Sequence, residues 1–416
     1  MVKIGVMGFG TVGSGVVEVI RKNASSISRK AGQTIDIKYI LDIRDFPDSP
    51  ERHLLTKNAE DILNDDEISI VVEVMGGVEP AYTFTKRALL SGKHVVTSNK
   101  ELVAAHGAEL LAIAREKNVN YMFEASVGGG IPIIRPLNQC LAANDITEIV
   151  GILNGTTNYI LTKMIKEGQS FEDALKDAQD KGYAERNPEA DVEGYDACRK
   201  ISILSSLVFG KQVDSNKVYT EGITKIKLED VEYADRMGKV IKLLGISKKV
   251  GDKVYVRVSP MMISKDHPLA GIEDVFNGIL VRGDAIGEVM FYGRGAGKLP
   301  TASAVVADII DIVRNLDRNN KYIWVKSDED FLLDYGEYEV SYFVRVKTDD
   351  KSSVMNEVTK VFGNCNFVFI ENENASDEVA FVTPKRKEKD LQSALSKINY
   401  LDCVKSIHSV IRVDQD

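Results

Sequence analysis

The chain has 416 residues, more than a single hydrophobic core organises, so two or three domains are expected. Its 44% hydrophobic, 28% charged and 7% aromatic residues are those of a globular protein and exclude disordered, fibrous and collagen-like classes. With 53 Lys and Arg against 62 Asp and Glu, the net charge of −9 has the wrong sign for a phosphate-backbone binder, so no nucleic-acid partner is expected.

The opening MVKIGVMGFG reads as a strand rather than a charged-then-apolar leader. No apolar run nears the ~20 residues of a membrane helix, so a cytoplasmic protein without a membrane partner is expected. Cys140, Cys198, Cys365 and Cys403 form no C-x-x-C pair and are expected to be reduced and mostly buried.

Residues 3–7 (KIGVM) predict a strand, GFGTVGSG a tight turn and VVEVIRK a helix. IDIKYIL, ISIVVEVM, HVVTS and NYMFEAS recur as buried-type strands, alternating with helical AYTFTKRALL and ELVAAHGAELLAIAREK. This alternation predicts an α/β class, with a doubly wound (Rossmann) parallel sheet over residues 1–135. From 136 to 299, helical FEDALKDAQDKG, DACRKISILSSLVFG and VEYADRMGKVIKLLG join strands VYVRVSP, ILVRG and EVMFYG, as in an α+β substrate domain. The helix at 300–314 is expected to pack back on the first domain. Residues 315–336, polar with the lone Trp324, read as a linker, and 337–416 follow the order βαββαβ of a small two-layer domain.

Gly8, Gly10 and Gly13 fit G-x-G-x-x-G between a predicted strand and helix. The first glycine allows the turn, the second lets backbone amides approach a pyrophosphate, and the third lets the helix pack closely. Asp42 offers an acceptor for a ribose 2′-hydroxyl, whereas Arg44 and Lys57 suit a 2′-phosphate, so NAD and NADP both stay open; solvated loop charges are an equal reading of all three. Lys100 follows HVVTSN at the carboxyl end of a strand, where ligands of doubly wound sheets bind, although alone it reads as a surface lysine. Glu124, ahead of three glycines, suits either a turn or a cation held by hard oxygens. The stretch 182–200, GYAERNPEADVEGYDACRK, holds Glu185 and Asp191 in an acidic loop and sets Asp196 and Lys200 one helical turn apart. An exposed ion pair is the default for such a pair, but the helix continues into apolar ISILSSLVF. Carboxylates with a lysine suit gripping a substrate ammonium while an amine moves a proton.

In GFGTVGSGVV, EVMGG, TSNKEL, EASVGGGIP, GILNGTTNYIL, the 182–200 stretch and GDAIGEVMFYGRGAGKLPTASAVVADI, the sequence resembles the homoserine dehydrogenase family over nearly its whole length. The resemblance implies an NAD(P)-dependent oxidoreductase interconverting L-homoserine and L-aspartate 4-semialdehyde, on the way to threonine, isoleucine and methionine. It implies Lys200 and Lys100 as proton carriers, Glu185 and Asp196 on the substrate amino group, and Asp191 and Tyr183 beside them. Gly10, Thr11, Val12, Lys100, Gly182 and Gly297 match cofactor-contacting positions. Glu124 through its side chain, with the carbonyls of Val127, Gly129 and Ile131, matches a monovalent-cation site, usually Na+. The second domain is implied to dimerise, giving a homodimer or homotetramer. The C-terminal βαββαβ resembles an ACT domain, implying feedback by an amino acid such as threonine, although its loop TDDKSS lacks the Pro-Gly often found there. The second strand ends LDIRD, one residue longer than the family's usual pattern, which leaves the aim of Arg44 open. A dehydrogenase acting on another amino acid such as aspartate is the alternative enzyme, and a non-catalytic nucleotide sensor the alternative from another class. Aspartate-semialdehyde dehydrogenase fits less well, since neither Cys140 nor Cys198 sits in a Gly-rich loop.

Overall fold

A computed structural model of the chain describes residues 1–319, 322–327, 331–370 and 377–414. Its first half follows the hydrophobic pattern closely: the β-branched runs become strands and the periodic segments between them become helices. These are β1 (Val2–Met7), α1 (Thr11–Lys22), α2 (Ala24–Ala31), β2 (Ile35–Leu41), β3 (Leu55–Thr56), α3 (Glu60–Leu63), β4 (Ile68–Glu73), α4 (Ala81–Leu90), β5 (His94–Thr97), α5 (Lys100–Glu116) and β6 (Tyr121–Met122). The strands form a parallel sheet in the order β3-β2-β1-β4-β5-β6, the reversal falling between β1 and β4. Ile4, Val6, Ile70, Val72, Val95 and Val96 are fully buried, as expected of a sheet covered on both faces. The doubly wound expectation is met.

The chain continues with β7 (Ile146–Ile152), α6 (Gly155–Glu167), α7 (Phe171–Asp180), α8 (Glu189–Val192), α9 (Tyr195–Phe209), β8 (Tyr219–Thr220) and α10 (Leu228–Arg236). Two long strands follow, β9 (Lys239–Val250) and β10 (Lys253–Ser264), then β11 (Phe276–Gly283), β12 (Gly287–Arg294) and α11 (Lys298–Arg314). The C-terminal part is β13 (Glu339–Lys347), α12 (Lys351–Phe362), β14 (Asn366–Val368), β15 (Glu378–Val382), β16 (Arg386–Lys387), α13 (Glu388–Ile398) and β17 (Ser406–Val413).

Contacts divide the chain into two units. The first comprises residues 1–146, 199–217 and 283–329, the second 147–198, 218–282 and 330–416. Within the first, α11 lies on α1: a side chain at Gly15 would meet the Lys298 carbonyl at 2.8 Å, and Lys298 pairs with Glu18 at 2.7 Å. Of the segment 315–336, residues 320–321 and 328–330 lie outside the described residues. The rest is not a solvated linker, because Tyr322 and Trp324 are buried against Phe123 at ring separations of 5.3 and 5.5 Å. Trp324 also occupies the space above Gly107 of α5, where a Cβ would come within 2.2 Å of it.

Within the second unit, eight strands run in the order β11-β7-β9-β10-β17-β13-β15-β14. The last four of these, with α12 and α13, make the predicted βαββαβ arrangement, to which the two-residue β16 is added beside β13. Its core holds Val344, Val354, Phe362, Phe381, Leu391 and Ile398. Because β10 pairs with β17 at Met261↔Arg412 and Met262↔Val413, the middle and C-terminal segments share one sheet. The cysteine expectation needs correction: all four are free, but only Cys198 is buried, Cys140 being exposed and the other two intermediate. Cys140 ends a short polar helical turn, where one side faces water. Among the described residues, no helix is long and apolar enough to cross a membrane.

Candidate active site

In the first unit, β1 delivers the chain into the glycine turn at the carboxyl edge of the sheet. Gly8 has φ +104°, and a side chain there would meet the Val74 carbonyl at 2.9 Å. A Cβ on Gly13 would lie 1.9 Å from the Gly8 carbonyl, so only glycine lets α1 start this close to the strand. Gly10 is the N-cap of α1, no side chain caps the helix, and its first turn carries no acid. The amides of Thr11, Val12 and Gly13 are thus left for an external anion, which fits a pyrophosphate. Gly297, at φ +120°, is the equally uncapped N-cap of α11.

A cleft of about 670 Å³ opens beside this turn, lined by Gly8, Gly10, Asp42, Arg44, Met75 and Pro80 among others. Asp42, at the end of β2, accepts from the Phe9 amide at 2.8 Å and from the Arg44 amide at 2.9 Å. Arg44 adds Nε to Oδ1 at 3.0 Å and Nη2 to Oδ2 at 2.9 Å. The Arg44 guanidinium above all, then these amides, hold the Asp42 carboxyl well below the usual carboxylate range. Arg44 also lies over the Phe46 ring at 5.2 Å, and Lys57 pairs with Asp45 at 2.7 Å.

At the neighbouring strand ends, sequence reading missed Glu73. It is buried, and its oxygens accept from the Met75 amide at 2.9 Å and from Thr97 Oγ1 at 2.6 Å. Thr97 in turn accepts the Asn99 amide at 2.9 Å, and Asn99 caps α5 through Leu102 N at 3.1 Å. Burial pushes the Glu73 carboxyl up. Lys100 is the first residue of α5, so this chain of bonds sets the backbone from which it projects. Glu101, next to it, pairs with Arg199 of α9 at 3.5 Å, and Gln212 bonds the carbonyls of Ala104 and Ala105. The segment of α9 that begins with Arg199 and Lys200 is thereby tied to α5. Lys200 is only 8% exposed, not the surface lysine its spacing alone would suggest.

Glu124 behaves differently from expectation. Its Oε1 accepts the amides of Ile133 and Ile134 at 2.6 and 2.8 Å, and its Oε2 accepts Arg135 N and Nε at 2.9 and 3.2 Å. Four donors use the lone pairs of the carboxylate, so the side chain serves to hold the turn and is not poised as a cation ligand. A side chain on Gly128 would meet the Ile131 carbonyl at 2.3 Å, so only glycine lets the turn fold back on itself here. Backbone carbonyls of Val127, Gly129 and Ile131 are hard oxygens that fit a monovalent cation.

In the second unit, Asn154, another residue the sequence reading passed over, organises the acidic loop. Its Nδ2 donates to Asp191 Oδ1 at 2.7 Å and to Asp196 Oδ2 at 3.0 Å, and its Oδ1 caps α6 by accepting Thr157 N at 2.9 Å. One amide thus holds two like charges together, and Asp196 is buried. The segment GILNGTTNYIL shows the N-cap by its Asn-Gly-Thr pattern, but not the residues its free side-chain nitrogen would meet. Tyr183 is half exposed, its ring edge on Tyr159 at 5.1 Å and its carbonyl accepting Thr156 Oγ1 at 2.8 Å. Gly182 turns with φ +73°, and Glu185 has an exposed side chain while its carbonyl accepts Gln179 Nε2 at 3.1 Å.

Comparison with known proteins matches residues 132–310 to the family model described as homoserine dehydrogenase and residues 8–124 to that of its NAD-binding domain. A homoserine dehydrogenase from Synechocystis is 44% identical, covering 99% of this chain and 99% of the relative. The crystal structure of a homoserine dehydrogenase from Thiobacillus denitrificans superposes with a TM-score of 0.91 at 37% identity, over 99% and 98% of the two chains. A hyperthermophilic archaeal homoserine dehydrogenase mutant, in complex with NADPH, gives 0.65 at 30% identity, over 74% of this chain and 97% of the other.

Proposed function

The chain belongs to the homoserine dehydrogenase family of NAD(P)-dependent oxidoreductases, and on that basis we propose that it interconverts L-homoserine and L-aspartate 4-semialdehyde with Lys200 as its principal proton carrier. The burial of Lys200, 8% exposed at the start of the α9 segment tied to α5, is the observation that carries this assignment, since a lysine set into the protein can present its amine to a bound substrate oxygen. The nicotinamide, when bound, supplies the hydride acceptor and donor. Lys200 takes the homoserine hydroxyl proton as the aldehyde forms and returns it in reverse, with Lys100 beside the same oxygen. Glu185 and Asp196 grip the substrate ammonium, Asp191 and Tyr183 support them, and Asn154 keeps the two aspartates in register.

Cofactor binding is assigned to Gly8, Gly10, Thr11, Val12 and Gly13 at the pyrophosphate, with Lys100, Gly182 and Gly297 at contacting positions. NADP is favoured over NAD, because the Asp42 lone pairs are spent on N–H donors while Arg44 and Lys57 present cations to a 2′-phosphate. A Na+ ion is assigned to the carbonyls of Val127, Gly129 and Ile131. By function, as distinct from the two contact units, we assign 1–135 with the returning helix to the cofactor, 136–299 to substrate and dimerisation, and 337–416, resembling an ACT domain, to regulation answering to threonine. An even-numbered homo-oligomer in the cytoplasm completes the reading. Absorbance of the reduced nicotinamide, followed with homoserine and NADP or NAD, with and without threonine, tests it. Turnover with homoserine, faster with NADP, is expected; no reduction with either cofactor overturns the reading.

A further inference from the structure

The parallel register of β4 with β5 sets Glu73 opposite Thr97, the last residue of each strand. Glu73 leads into the turn 74–77, of which Val74, Met75 and Gly76 line the cofactor cleft. Thr97 leads into Asn99 and then Lys100, the first residue of α5. The strand end that carries a wall of the cleft and the strand end that carries the amine therefore emerge side by side.

That wall has little packing of its own. Gly76 and Gly77 take φ of +89° and +72°, and a Cβ on Gly76 would meet nothing within 4 Å, while one on Gly77 would meet only the Glu79 carbonyl at 3.8 Å. The place of these two residues depends on hydrogen bonds instead. Glu73 Oε1 accepts the Met75 amide at 2.9 Å, and Asn99 Nδ2 donates to the Gly77 carbonyl at 2.6 Å. Asn99 N donates to Thr97 Oγ1 at 2.9 Å, and Thr97 Oγ1 to Glu73 Oε2 at 2.6 Å. These four bonds close a ring that runs from Glu73 through the turn to Asn99, to Thr97 and back. Its three side chains are buried. Opening such a ring leaves a buried donor or acceptor unmade, so its members hold one arrangement.

Asn99 does more in this ring than its helix requires. Capping α5 uses only Oδ1, which accepts Leu102 N at 3.1 Å, whereas Nδ2 reaches back 22 residues to the turn. We propose that Asn99 is a positioning residue for the dehydrogenase reaction, tying the cofactor wall at 75–77 to Lys100 so that cofactor and amine are set by one frame. Glu73 and Thr97 complete that frame. The inference rests on the placement of Lys100 beside the reacting oxygen.

Asn99→Ser separates the two duties, because serine also caps a helix but has no second arm for the Gly77 carbonyl. The kcat for homoserine oxidation is expected to fall about tenfold. In a Lys100→Met background the same change is expected to cost less than about twofold, since a residue that acts through Lys100 has nothing left to place, whereas a merely structural loss would be equal in both. Thr97→Val is expected to act as Asn99→Ser does, and Thr97→Ser, which keeps the hydroxyl, to recover most of the loss. Amide exchange reads the tie without turnover: NADPH is expected to slow exchange at residues 100–103 in the parent protein, and about tenfold less in Asn99→Ser. Unchanged kcat in Asn99→Ser, equal losses in the two backgrounds, or undiminished protection by NADPH overturns the proposal. Full turnover in Lys100→Met removes the role of Lys100 and the proposal with it, while a parent protein without turnover defeats the dehydrogenase reading and leaves amide exchange to decide the tie.

Discussion

Arg44 holds Asp42 through two parallel hydrogen bonds, Nε to Oδ1 and Nη2 to Oδ2, while the same carboxylate also takes the amide of Phe9 in the glycine turn. The acid that could have received a ribose hydroxyl is neutralised in place, and the cation beside it remains mostly exposed. Arg44→Ala is expected to raise the KM for NADP about tenfold or more, the loss of a charge-assisted contact, and that for NAD far less. Initial rates with the two cofactors check this; equal effects on both would remove Arg44 from cofactor choice.

Lys200→Met keeps the length of the side chain without the amine. Turnover is expected to fall about 10²-fold or more, with the dissociation constant of NADPH preserved by fluorescence titration. Near-normal turnover would take Lys200 out of the proton path.

Asn154→Ala removes the donor that Asp191 and Asp196 share. Two carboxylates left facing each other disfavour joint ionisation, so one of them titrates higher. The KM for homoserine is expected to rise about tenfold, and the acidic limb of kcat/KM to move to higher pH. An unshifted pH profile with normal KM would show that the pair needs no bridge.

Lys242 of β9 is buried, donating to the Ile272 carbonyl at 2.5 Å and to Asn158 Oδ1 at 3.3 Å. Burial pushes its pKa down from 10.5 to about 8. Between these values the unfolded chain binds the proton more tightly than the folded one, so this group adds stability as pH rises from about 8 and the gain is complete above about 10.5. Over that window it amounts to about 3 kcal/mol. Lys242→Met cannot titrate, so the Tm of the parent protein relative to this variant is expected to increase between pH 7.5 and 10. A constant difference would contradict the sign.

Much of this was legible in the chain. The alternation of β-branched runs with helical periods announces the doubly wound parallel sheet, because both periodicities report burial directly, and the glycine turn is legible because Gly8 and Gly13 meet backbone at distances no side chain survives. The βαββαβ order is legible for the same reason. Side chains that act across long sequence separations were not: no local pattern marks Glu73 or Asn154, whose partners Thr97, Asp191 and Asp196 lie 24 to 42 residues on. Glu124 carried an acid's signature beside glycines, yet its partners are amides nine to eleven residues on, which no local pattern encodes. Tyr322 and Trp324 sit in a polar stretch, so only the space above Gly107 and the ring of Phe123 reveals them as core.

The partnership of β10 with β17 gives the C-terminal eighty or so residues a structural duty besides any sensing. Shortening the chain ahead of β13 would strip the hydrogen-bonding row from Met261 and Met262 and open the flank of a long strand to strangers. A truncated form would therefore tend toward self-association even with every catalytic group in place, and deregulation by deletion would come at the expense of solubility.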